Sequence, residues 1–221
     1  LFKIFIGLMQ AFSVLLKYKK EETLIFSFGG FVCIPVVIAG WLQQKMIFVH
    51  EQTSRVGLAN KIASKFALKV FVSFEDSLKF FPKSKTSLSG YPLRDALFKK
   101  EVNLVSVDDV ELNSLDRPIL YITGGGNGSK LLNDLVVRNI LELSKTYFII
   151  HQVGEKCLED YICLRDNYYH PVGFIGKELV DVLKLSKVVI SRAGAGTVCE
   201  LMSLQKRSVF IYLCMPPFNG K

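Results

Sequence analysis

The sequence predicts an α/β fold with two parallel β-sheets flanked by helices. Apolar runs with strand character alternate with helix-like stretches along most of the 221 residues. The runs are continuously apolar, which is typical of parallel strands that are buried on both faces. Two of them lead into glycine-rich turns, at residues 124–128 and 193–196, and such turns commonly connect a strand to a helix in this class of fold.

The first half of the chain is predicted to contain a leading helix followed by four strands and two further helices. Gly29 and Gly30 end the first of these strands, because tandem glycines favour a turn. In order, the predicted elements are a helix over 1–18, a strand over 24–28, a helix over 34–43, a strand over 46–49, a helix over 55–67, and strands over 70–73 and 86–89.

The second half continues the alternation of strands and helices. Each glycine-rich turn lies between a strand and a helix, as a βα connection requires. In order, the predicted elements are a strand over 119–123, a helix over 130–143, a strand over 147–152, a helix that includes 180–185, a strand over 188–191, a helix over 197–204 and a strand over 209–213.

The alternation pauses between residues 91 and 118. This stretch contains Pro92, two clusters of charged residues and little periodicity, a composition typical of a domain junction. We therefore expect two α/β units, residues 1–93 and 94–221, with a cleft between them.

The composition is that of a globular protein. Half of the residues are hydrophobic and 22% are charged, which excludes disordered, collagen-like and disulfide-scaffold chains. The five cysteines are odd in number, have no CxxC spacing and lie in apolar runs, so we expect reduced core thiols and no zinc site. Because no basic stripe interleaved with aromatic residues is present, nucleic acid is not an expected partner.

Positive charge is concentrated in the first half of the chain. Residues 1–110 contain 15 Lys and Arg against 9 Asp and Glu, a net charge of +6, whereas residues 111–221 carry +2. The apolar run at 1–18 is too short and too interrupted to span a bilayer. It is either a mostly buried core helix or a helix partly exposed at a lipid interface. An anionic membrane surface is therefore an expected partner.

The first glycine-rich turn is a candidate anion site. Residues 123–129 have the sequence TGGGNGS, and backbone N–H groups at the start of the following helix can bind phosphate. A plain βα turn explains the same pattern. The P-loop signature is absent, and NAD or FAD is disfavoured because Ser129 replaces the third glycine and residues 149–152 contain no carboxylate.

The second glycine-rich turn is followed by two polar side chains that could contact a nucleotide. Small residues at 193–196 allow a ligand close to the backbone, and Thr197 can offer its hydroxyl to a phosphate. Glu200 lies one turn into the helix. It could accept hydrogen bonds from ribose hydroxyls, or it could simply complement the helix dipole.

A third polar cluster, with the sequence HEQT at residues 50–53, follows the second predicted strand. The carboxyl ends of parallel strands are where α/β folds bind ligands. Four consecutive hydrogen-bonding side chains at this place favour a functional role. A serine-based catalytic triad is not supported, because no Gly-x-Ser-x-Gly turn is present.

Five motifs together resemble those of the MurG family of glycosyltransferases. They occur in the family's order and spacing and cover nearly the whole chain. They are FGGFVCIP at 28–35, HEQTSRVGLANK at 50–61, SGYPLR at 89–94, TGGGNGS at 123–129 and SRAGAGTVCE at 191–200.

The resemblance implies a GT-B fold, in which two Rossmann-like domains flank the substrate cleft. It implies transfer of N-acetylglucosamine from UDP-N-acetylglucosamine to lipid I, which gives lipid II for peptidoglycan synthesis. It further implies inversion at the sugar carbon, no metal or other cofactor, and peripheral attachment to the cytoplasmic face of the bacterial membrane.

By the same resemblance, the donor site lies mainly in the second unit. Arg94 matches a position that contacts the donor nucleotide, and Ile175 matches the backbone position that holds the uracil. Glu200 matches the residue on the ribose. The segment that cradles the diphosphate, sugar and ribose consists of Ala195, Gly196, Thr197, Val198, Cys199 and Glu200.

Two donor-binding positions depart from the family pattern. The family usually has Asn at the position of Thr53 and Ser at the position of Gly126. Thr53 keeps a hydroxyl but lacks the amide, and Gly126 lacks a hydroxyl that faces phosphate. We therefore expect weaker donor binding than is usual in the family.

The catalytic base is not assigned. The resemblance places the family's proposed base, a histidine on a glycine loop, upstream of Leu1, and places paired glutamines that hold the donor sugar beyond Lys221. We expect both ends of the natural protein to lie outside the printed sequence. His50 and Glu51 are expected to support the acceptor side of the site.

Two other functions remain open at this stage. One is a related GT-B transferase that acts on a diacylglycerol lipid. The other is a non-catalytic paralogue or fragment that binds UDP-sugar or membrane without turnover. The gene sequence upstream of Leu1 would separate an enzyme from a binding module, because only an enzyme needs the base.

Overall fold

Two parallel sheets organise the chain, as the sequence predicts. The computed structural model describes residues 2–99, residue 102 and residues 106–212. The chain divides into two units, Leu1–Pro92 and Leu93–Lys221, and each unit has its own parallel sheet and its own core. The observed division falls one residue before the expected one.

The first unit is built on a four-stranded sheet with the strand order β1-β2-β3-β4, all parallel. Sequential strands therefore pair in the order in which they are synthesised. The elements are α1 (Phe2–Leu15), β1 (Leu24–Ser27), α2 (Cys33–Leu42), β2 (Met46–Glu51), α3 (Leu58–Phe66), β3 (Lys69–Val72) and β4 (Thr86–Leu88).

Alternate strand residues form the core of the first unit. Ile47, Val49 and Val70 are at most 1% exposed. They pack with Val37 of α2 and Ala63 of α3 in one apolar cluster. Each large aliphatic side chain buried in this way contributes about 1.5–3 kcal/mol to stability, which is what holds the helices on this face of the sheet.

The opposite face of the same sheet is lined by aromatic rings. Phe26 lies 5.0 Å from Phe28, 6.3 Å from Phe48 and 6.2 Å from Phe71, measured between ring centroids. Phe26 and Phe28 are about half exposed. The prediction that the strands are buried on both faces is wrong here, because α2 and α3 add their buried residues to the other face.

Helix α1 lies against α2 with most of its surface in solvent. No side chain described in residues 5–15 is buried, so the interpretation as a mostly buried core helix is wrong. Among the described residues, no helix is long and apolar enough to cross a membrane. Helices α1 and α2 enclose an apolar groove of about 530 Å³, the α1–α2 groove, lined by Gly7, Gln10, Ala11, Val14, Phe31, Val32, Pro35 and Val36.

The second unit is built on a five-stranded parallel sheet with the order β11-β10-β7-β8-β9, preceded by a short antiparallel hairpin. Strands β7 and β8 are buried along their whole length, as predicted. The elements are β5 (Ser106–Val107), β6 (Val110–Glu111), β7 (Ile119–Thr123), α4 (Lys130–Ser144), β8 (Phe148–Gln152), α5 (Leu158–Tyr161), β9 (Tyr169–Val172), α6 (Leu179–Leu185), β10 (Val188–Arg192), α7 (Ala195–Ser203) and β11 (Ser208–Ile211).

Apolar clusters cover both faces of this second sheet. Tyr121, Phe148 and Ile150 belong to one cluster, and Leu120 and Ile149 belong to the other. Successive residues of a strand point to opposite faces, so β7 and β8 each contribute to both clusters. The continuous apolar runs of β7 and β8 follow directly from this two-sided burial.

The described cysteines are all free thiols. Cys33, Cys157 and Cys199 are half-buried and Cys163 is exposed, so the expected core burial is wrong for these four. Cys214 and the end of the predicted strand 209–213 lie outside the described residues.

Candidate functional site

The second unit contains a pocket at the point where the strand order reverses. Strands β8 and β9 lie to one side of β7, and β10 and β11 lie to the other. Open parallel sheets bind ligands outside the carboxyl ends of the strands at such a point. The pocket has a volume of about 380 Å³ and is lined by Thr123, Gly124, Gly125, Ser191, Arg192, Ala193, Gly194, Thr197, Ile211 and Tyr212.

The first glycine-rich turn is held tightly against neighbouring backbone. A Cβ atom on Gly124 would lie 2.5 Å from the Ser129 nitrogen. A Cβ on Gly128, whose φ is +72°, would lie 1.9 Å from the Val153 oxygen. These two glycines are therefore required by the backbone path. A Cβ on Gly126 would contact only Phe174, at 3.6 Å, so this position has room for a side chain.

The second turn places a helix N-terminus at the pocket. Helix α7 begins after the extended residue Gly194, and no side chain caps its first N–H groups. Uncapped N–H groups and the positive end of the helix dipole favour an anion at this position. Thr197 lines the pocket, and the fully buried Ser191 hydroxyl has no hydrogen-bond partner within the described residues.

Arg94 and Glu200 form an ion pair at the edge of this site. The Arg94 Nε atom lies 3.2 Å from Glu200 Oε1, and the side chains are 53% and 15% exposed. The segment that follows Arg94 is fixed because Lys184 Nζ donates to the carbonyl oxygens of Ala96 and Lys99. The structure thus brings together two residues that the resemblance assigned to the donor nucleotide.

The predicted donor segment forms the start of α7, and all of its residues are half-buried. Burial raises the pKa of the Cys199 thiol, and the neighbouring Glu200 charge raises it further. A raised pKa keeps the thiol protonated, and the protonated thiol is a poor nucleophile. The half-buried residues are Ala195, Gly196, Thr197, Val198, Cys199 and Glu200.

Ile175 is buried, and its backbone N–H is used within the protein. The side chain is 3% exposed, and the amide nitrogen donates to Gln152 Oε1 at 3.0 Å. Sequence reasoning used residues 149–152 only to argue against a dinucleotide and missed Gln152. The signal for it was a polar residue at the carboxyl end of a strand that is otherwise almost entirely apolar.

In the first unit, Glu51 organises the turn after β2. The buried carboxylate accepts hydrogen bonds from the Thr53 N–H and hydroxyl at 3.0 and 2.8 Å, from the Gly57 N–H at 3.2 Å and from Asn60 Nδ2 at 2.9 Å. Four donors occupy the acceptor sites of this carboxylate. Its role is to fix the turn and the start of α3.

His50 is also part of β2, one residue before Glu51, where it pairs with Phe71 of β3. Its Nε2 atom lies 3.3 Å from the Gly90 oxygen and 3.5 Å from Ser73 Oγ. Because a carbonyl oxygen only accepts, the hydrogen bond to Gly90 places the proton on Nε2. The Nδ1 atom is buried and has no partner within the described residues.

A pocket of about 310 Å³ surrounds His50 in the first unit. Its lining is mostly aromatic, and the His50 ring meets the Phe28 ring edge-on at 5.8 Å. The pocket is lined by Phe26, Phe28, His50, Phe71, Ser89, Gly90 and Pro92.

Thr53 belongs to the first unit, whereas the other predicted donor residues belong to the second. Its hydroxyl lies 2.8 Å from Glu51 Oε1 and 2.7 Å from the Arg55 oxygen. The hydroxyl therefore already has two partners within its own turn.

Two units, each with a parallel sheet flanked by helices, and a pocket at the switch point of the second sheet are the architecture of the GT-B class of glycosyltransferases. The profile of the glycosyltransferase family 28 N-terminal domain matches residues 1–72, and that of the glycosyltransferase family 28 C-terminal domain matches residues 119–214. The chain belongs to glycosyltransferase family 28.

Individual relatives agree with the resemblance to the MurG family. The chain is 38% identical, over 214 residues, to the UDP-N-acetylglucosamine--N-acetylmuramyl-(pentapeptide) pyrophosphoryl-undecaprenol N-acetylglucosamine transferase 2 of Bacillus cereus, covering 96% of this chain and 59% of the relative. It is also 38% identical, over 219 residues, to the UDP-N-acetylglucosamine--N-acetylmuramyl-(pentapeptide) pyrophosphoryl-undecaprenol N-acetylglucosamine transferase of Staphylococcus carnosus. That match covers 99% of this chain and 59% of the relative.

A solved structure supports the fold. The crystal structure of MurG from Acinetobacter baumannii matches with a TM-score of 0.63 at 24% identity, covering 99% of this chain and 59% of that one. The chain thus spans about 59% of the length of these relatives.

Proposed function

We propose that the protein containing this chain is an inverting glycosyltransferase that moves N-acetylglucosamine from UDP-N-acetylglucosamine to lipid I, forming lipid II for peptidoglycan synthesis. The observation that carries the proposal is the pocket of the second unit, where two glycine-rich turns and the α7 N-terminus converge. Relatives 38% identical to the chain bear the name of this activity, which supports the same substrates here.

The donor would bind along the carboxyl ends of β7 and β10. The uncapped N–H groups of α7 and the Thr197 hydroxyl suit the diphosphate. The Glu200 carboxylate would accept hydrogen bonds from the ribose hydroxyls. These hydroxyls would either displace Arg94 from the carboxylate or bind beside it. Because the Ile175 N–H donates to Gln152, the Ile175 carbonyl is the backbone group that would accept the N–H of the uracil ring.

The same groups would assist departure of the UDP leaving group. Negative charge grows on the diphosphate as the bond to the sugar breaks. Donors that are already oriented towards that charge lower the barrier without having to reorganise. The α7 N-terminus is oriented by its helix, so it supplies this stabilisation in a fixed geometry.

The acceptor would meet the first unit near His50. We assign His50 a supporting role, since its Nε2–H is held by the Gly90 carbonyl and its Nδ1 is buried. In the intact protein, His50→Ala should reduce turnover only partly and leave the pH profile with a similar shape. If His50 were the general base, its removal would lower turnover about 100- to 10,000-fold and would abolish the limb of the pH profile that reports its ionisation. Measuring turnover against pH for both proteins separates the two roles.

The membrane contact would be made by the first unit at the cytoplasmic face. Phe31 and Val32 beside the α1–α2 groove are 94% and 75% exposed. Lys17, Lys19 and Lys20 follow α1 directly. Exposed apolar side chains and exposed basic side chains in the same unit are typical of peripheral binding to anionic lipid.

The direct test is transfer by the intact gene product. Purified protein is incubated with UDP-N-acetylglucosamine labelled in the sugar and with lipid I in detergent, and labelled lipid II is the expected product. Two results would contradict the proposal. One is labelled product only with a diacylglycerol acceptor. The other is UDP-N-acetylglucosamine binding with no transfer to either acceptor.

A further inference from the structure

Gln152 makes four hydrogen bonds although it is nearly inaccessible to solvent. The residue ends β8 and is 4% exposed. Its Oε1 atom accepts from the Tyr121 hydroxyl at 3.1 Å and from the Ile175 N–H at 3.0 Å. Its Nε2 atom donates to the Gly125 oxygen at 3.2 Å and to Thr123 Oγ1 at 3.3 Å. All hydrogen-bonding sites of the amide are used.

The orientation of this amide is unique. The Ile175 N–H can only donate, and the Gly125 carbonyl can only accept, so the amide oxygen and nitrogen cannot be exchanged. Burial raises the pKa of the Tyr121 hydroxyl, so that group keeps its proton and remains a donor. The planar amide group of Gln152 therefore has two chemically distinct sides, an oxygen side that accepts and a nitrogen side that donates.

The two sides contact different parts of the candidate donor site. The nitrogen side contacts the first glycine-rich turn, and Thr123 and Gly125 both line the pocket. The oxygen side contacts the backbone at Ile175, the position proposed above for the uracil. Gln152 itself is absent from the pocket lining among the described residues, so it acts through its neighbours.

We infer that Gln152 is a positioning residue that fixes the phosphate side of the donor site relative to its nucleobase side. The inference rests on the proposed function, because the two sides are defined by a bound nucleoside diphosphate. A ligand that contacts both the phosphate side and the nucleobase side binds more tightly when the distance between them is fixed, because the protein does not have to adjust on binding. A ligand that reaches only one side gains nothing from it.

The test compares ligands that occupy one side or both. Dissociation constants for UDP, uridine and pyrophosphate are measured by competition titration on the intact protein and on Gln152→Met, which keeps the shape but has no donor and only a weak sulfur acceptor. We expect UDP to bind about tenfold more weakly to the variant, with uridine and pyrophosphate each changed less than about threefold. With UDP-N-acetylglucosamine, KM should rise about tenfold while kcat changes little.

A second variant separates the two sides of the amide. Gln152→Glu keeps an acceptor for Ile175 and Tyr121 but directs a carboxylate oxygen at the Gly125 carbonyl. Pyrophosphate and UDP should bind more weakly to it, and uridine should bind as to the unaltered protein. This variant also keeps the test decisive where Gln152→Met fails to fold, as judged by near-UV circular dichroism.

Tyr169→Phe is the matched control. It removes a buried hydrogen bond of 2.9 Å to His151, which lies on the opposite face of β8. The control should lower thermal stability and leave the ratio of UDP to uridine affinity unchanged.

Two results would overturn the inference while leaving the proposed function intact. One is UDP affinity for folded Gln152→Met within threefold of the unaltered protein. The other is an equal loss for UDP, uridine and pyrophosphate, as a purely structural role would give. Failure of the unaltered protein to bind UDP would overturn the donor assignment and the inference together.

Discussion

Glu51 and Glu200 are both carboxylates that the sequence marks as candidate functional residues, and their surroundings give them different roles. Glu51 is buried and accepts from four donors of its own turn. Within the described part of the chain, Glu200 has one ion pair, to the half-exposed Arg94. An acceptor whose only charged partner is exposed can exchange that partner for ligand hydroxyls at little cost. Glu200 is therefore the carboxylate suited to binding.

Replacing Glu200 by alanine should weaken UDP binding by roughly 1.5–3 kcal/mol, the range for hydrogen bonds to a charged group. Stability should change little, because Arg94 remains solvated. Isothermal titration of the intact protein with UDP measures the loss. Glu142→Ala removes an exposed carboxylate of α4 that pairs with Lys145, the residue after the helix, so this variant should bind UDP normally. Equal affinity in Glu200→Ala would remove this residue from the donor site.

His151 should make the stability of the second unit depend on pH. The ring is fully buried, with Nδ1 2.9 Å from the Tyr169 hydroxyl, and burial lowers the pKa of His151 to about 4. The unfolded chain has the ordinary value near 6.5 and so binds a proton first as pH falls. The stabilisation is complete above about pH 6.5 and is lost progressively towards pH 4, by up to roughly 3 kcal/mol.

Urea denaturation at pH 7, 5.5 and 4.5 tests this dependence. His151→Gln keeps a polar partner for Tyr169 but does not titrate in this range. The free energy of unfolding should therefore fall less steeply with decreasing pH in the variant than in the unaltered protein. Parallel curves would show that other groups account for the acid sensitivity.

At the scale of elements, apolar runs predict β7 and β8 well because both are buried on two faces. Strand β9 was missed since it contains His170 and Pro171, which weaken the strand pattern. It lies at the edge of its sheet, where proline is tolerated. The hairpin of β5 and β6 was missed because two-residue strands are too short to show periodicity.

The candidate site could be predicted only in part, because some of its contacts join segments that are far apart in the sequence. Glycine turns and the residues of α7 follow one another in the sequence, so a local pattern reveals them. The contact of Arg94 with Glu200 and the four bonds of Gln152 join segments far apart in the chain. Such contacts depend on tertiary packing, which the sequence pattern of a single segment does not contain.

The first glycine-rich turn should accept a serine at Gly126. A side chain there contacts only Phe174, at 3.6 Å, and the backbone φ is not positive. Gly126→Ser adds a hydroxyl at the position where the family usually has one. UDP binding should become tighter by about 1 kcal/mol, or roughly fivefold, with unchanged thermal stability.

Gly128→Ser is the matched control within the same turn. Its φ is +72°, and its Cβ would lie 1.9 Å from the Val153 oxygen, so this change should destabilise the second unit by about 2 kcal/mol or more. Thermal denaturation and UDP titration of both variants check the pair. A destabilised Gly126→Ser, or one with weaker UDP binding, would contradict the prediction.

At the scale of the whole molecule, the first unit, residues 1–92, contains 12 Lys and Arg against 5 Asp and Glu, a net charge of +7, and it also contains the α1–α2 groove. Binding of the intact protein to vesicles should therefore require anionic lipid and weaken as salt screens the charges. Each lysine near the surface contributes about 1 kcal/mol. Changing Lys17, Lys19 and Lys20 together to Gln should reduce binding about 100-fold.

Vesicle sedimentation with phosphatidylglycerol or with phosphatidylcholine alone measures this binding. Changing Lys145, Lys156 and Lys177 to Gln removes the same charge from the second unit and should have little effect. Equal sedimentation with both kinds of vesicle at low salt would show that charge does not contribute.

Every strand pairing of the described chain lies within one unit, and each unit has its own core. Among the described residues, no strand from beyond Pro92 pairs with the first sheet. A ribosome adds about 5–20 residues per second, so the residues after Pro92 emerge over many seconds. The first sheet can therefore form during synthesis, with Phe26 and Phe28 of its aromatic face about half exposed. Because exposed apolar surface makes folding intermediates prone to aggregation, a chaperone that covers this face would act during that interval.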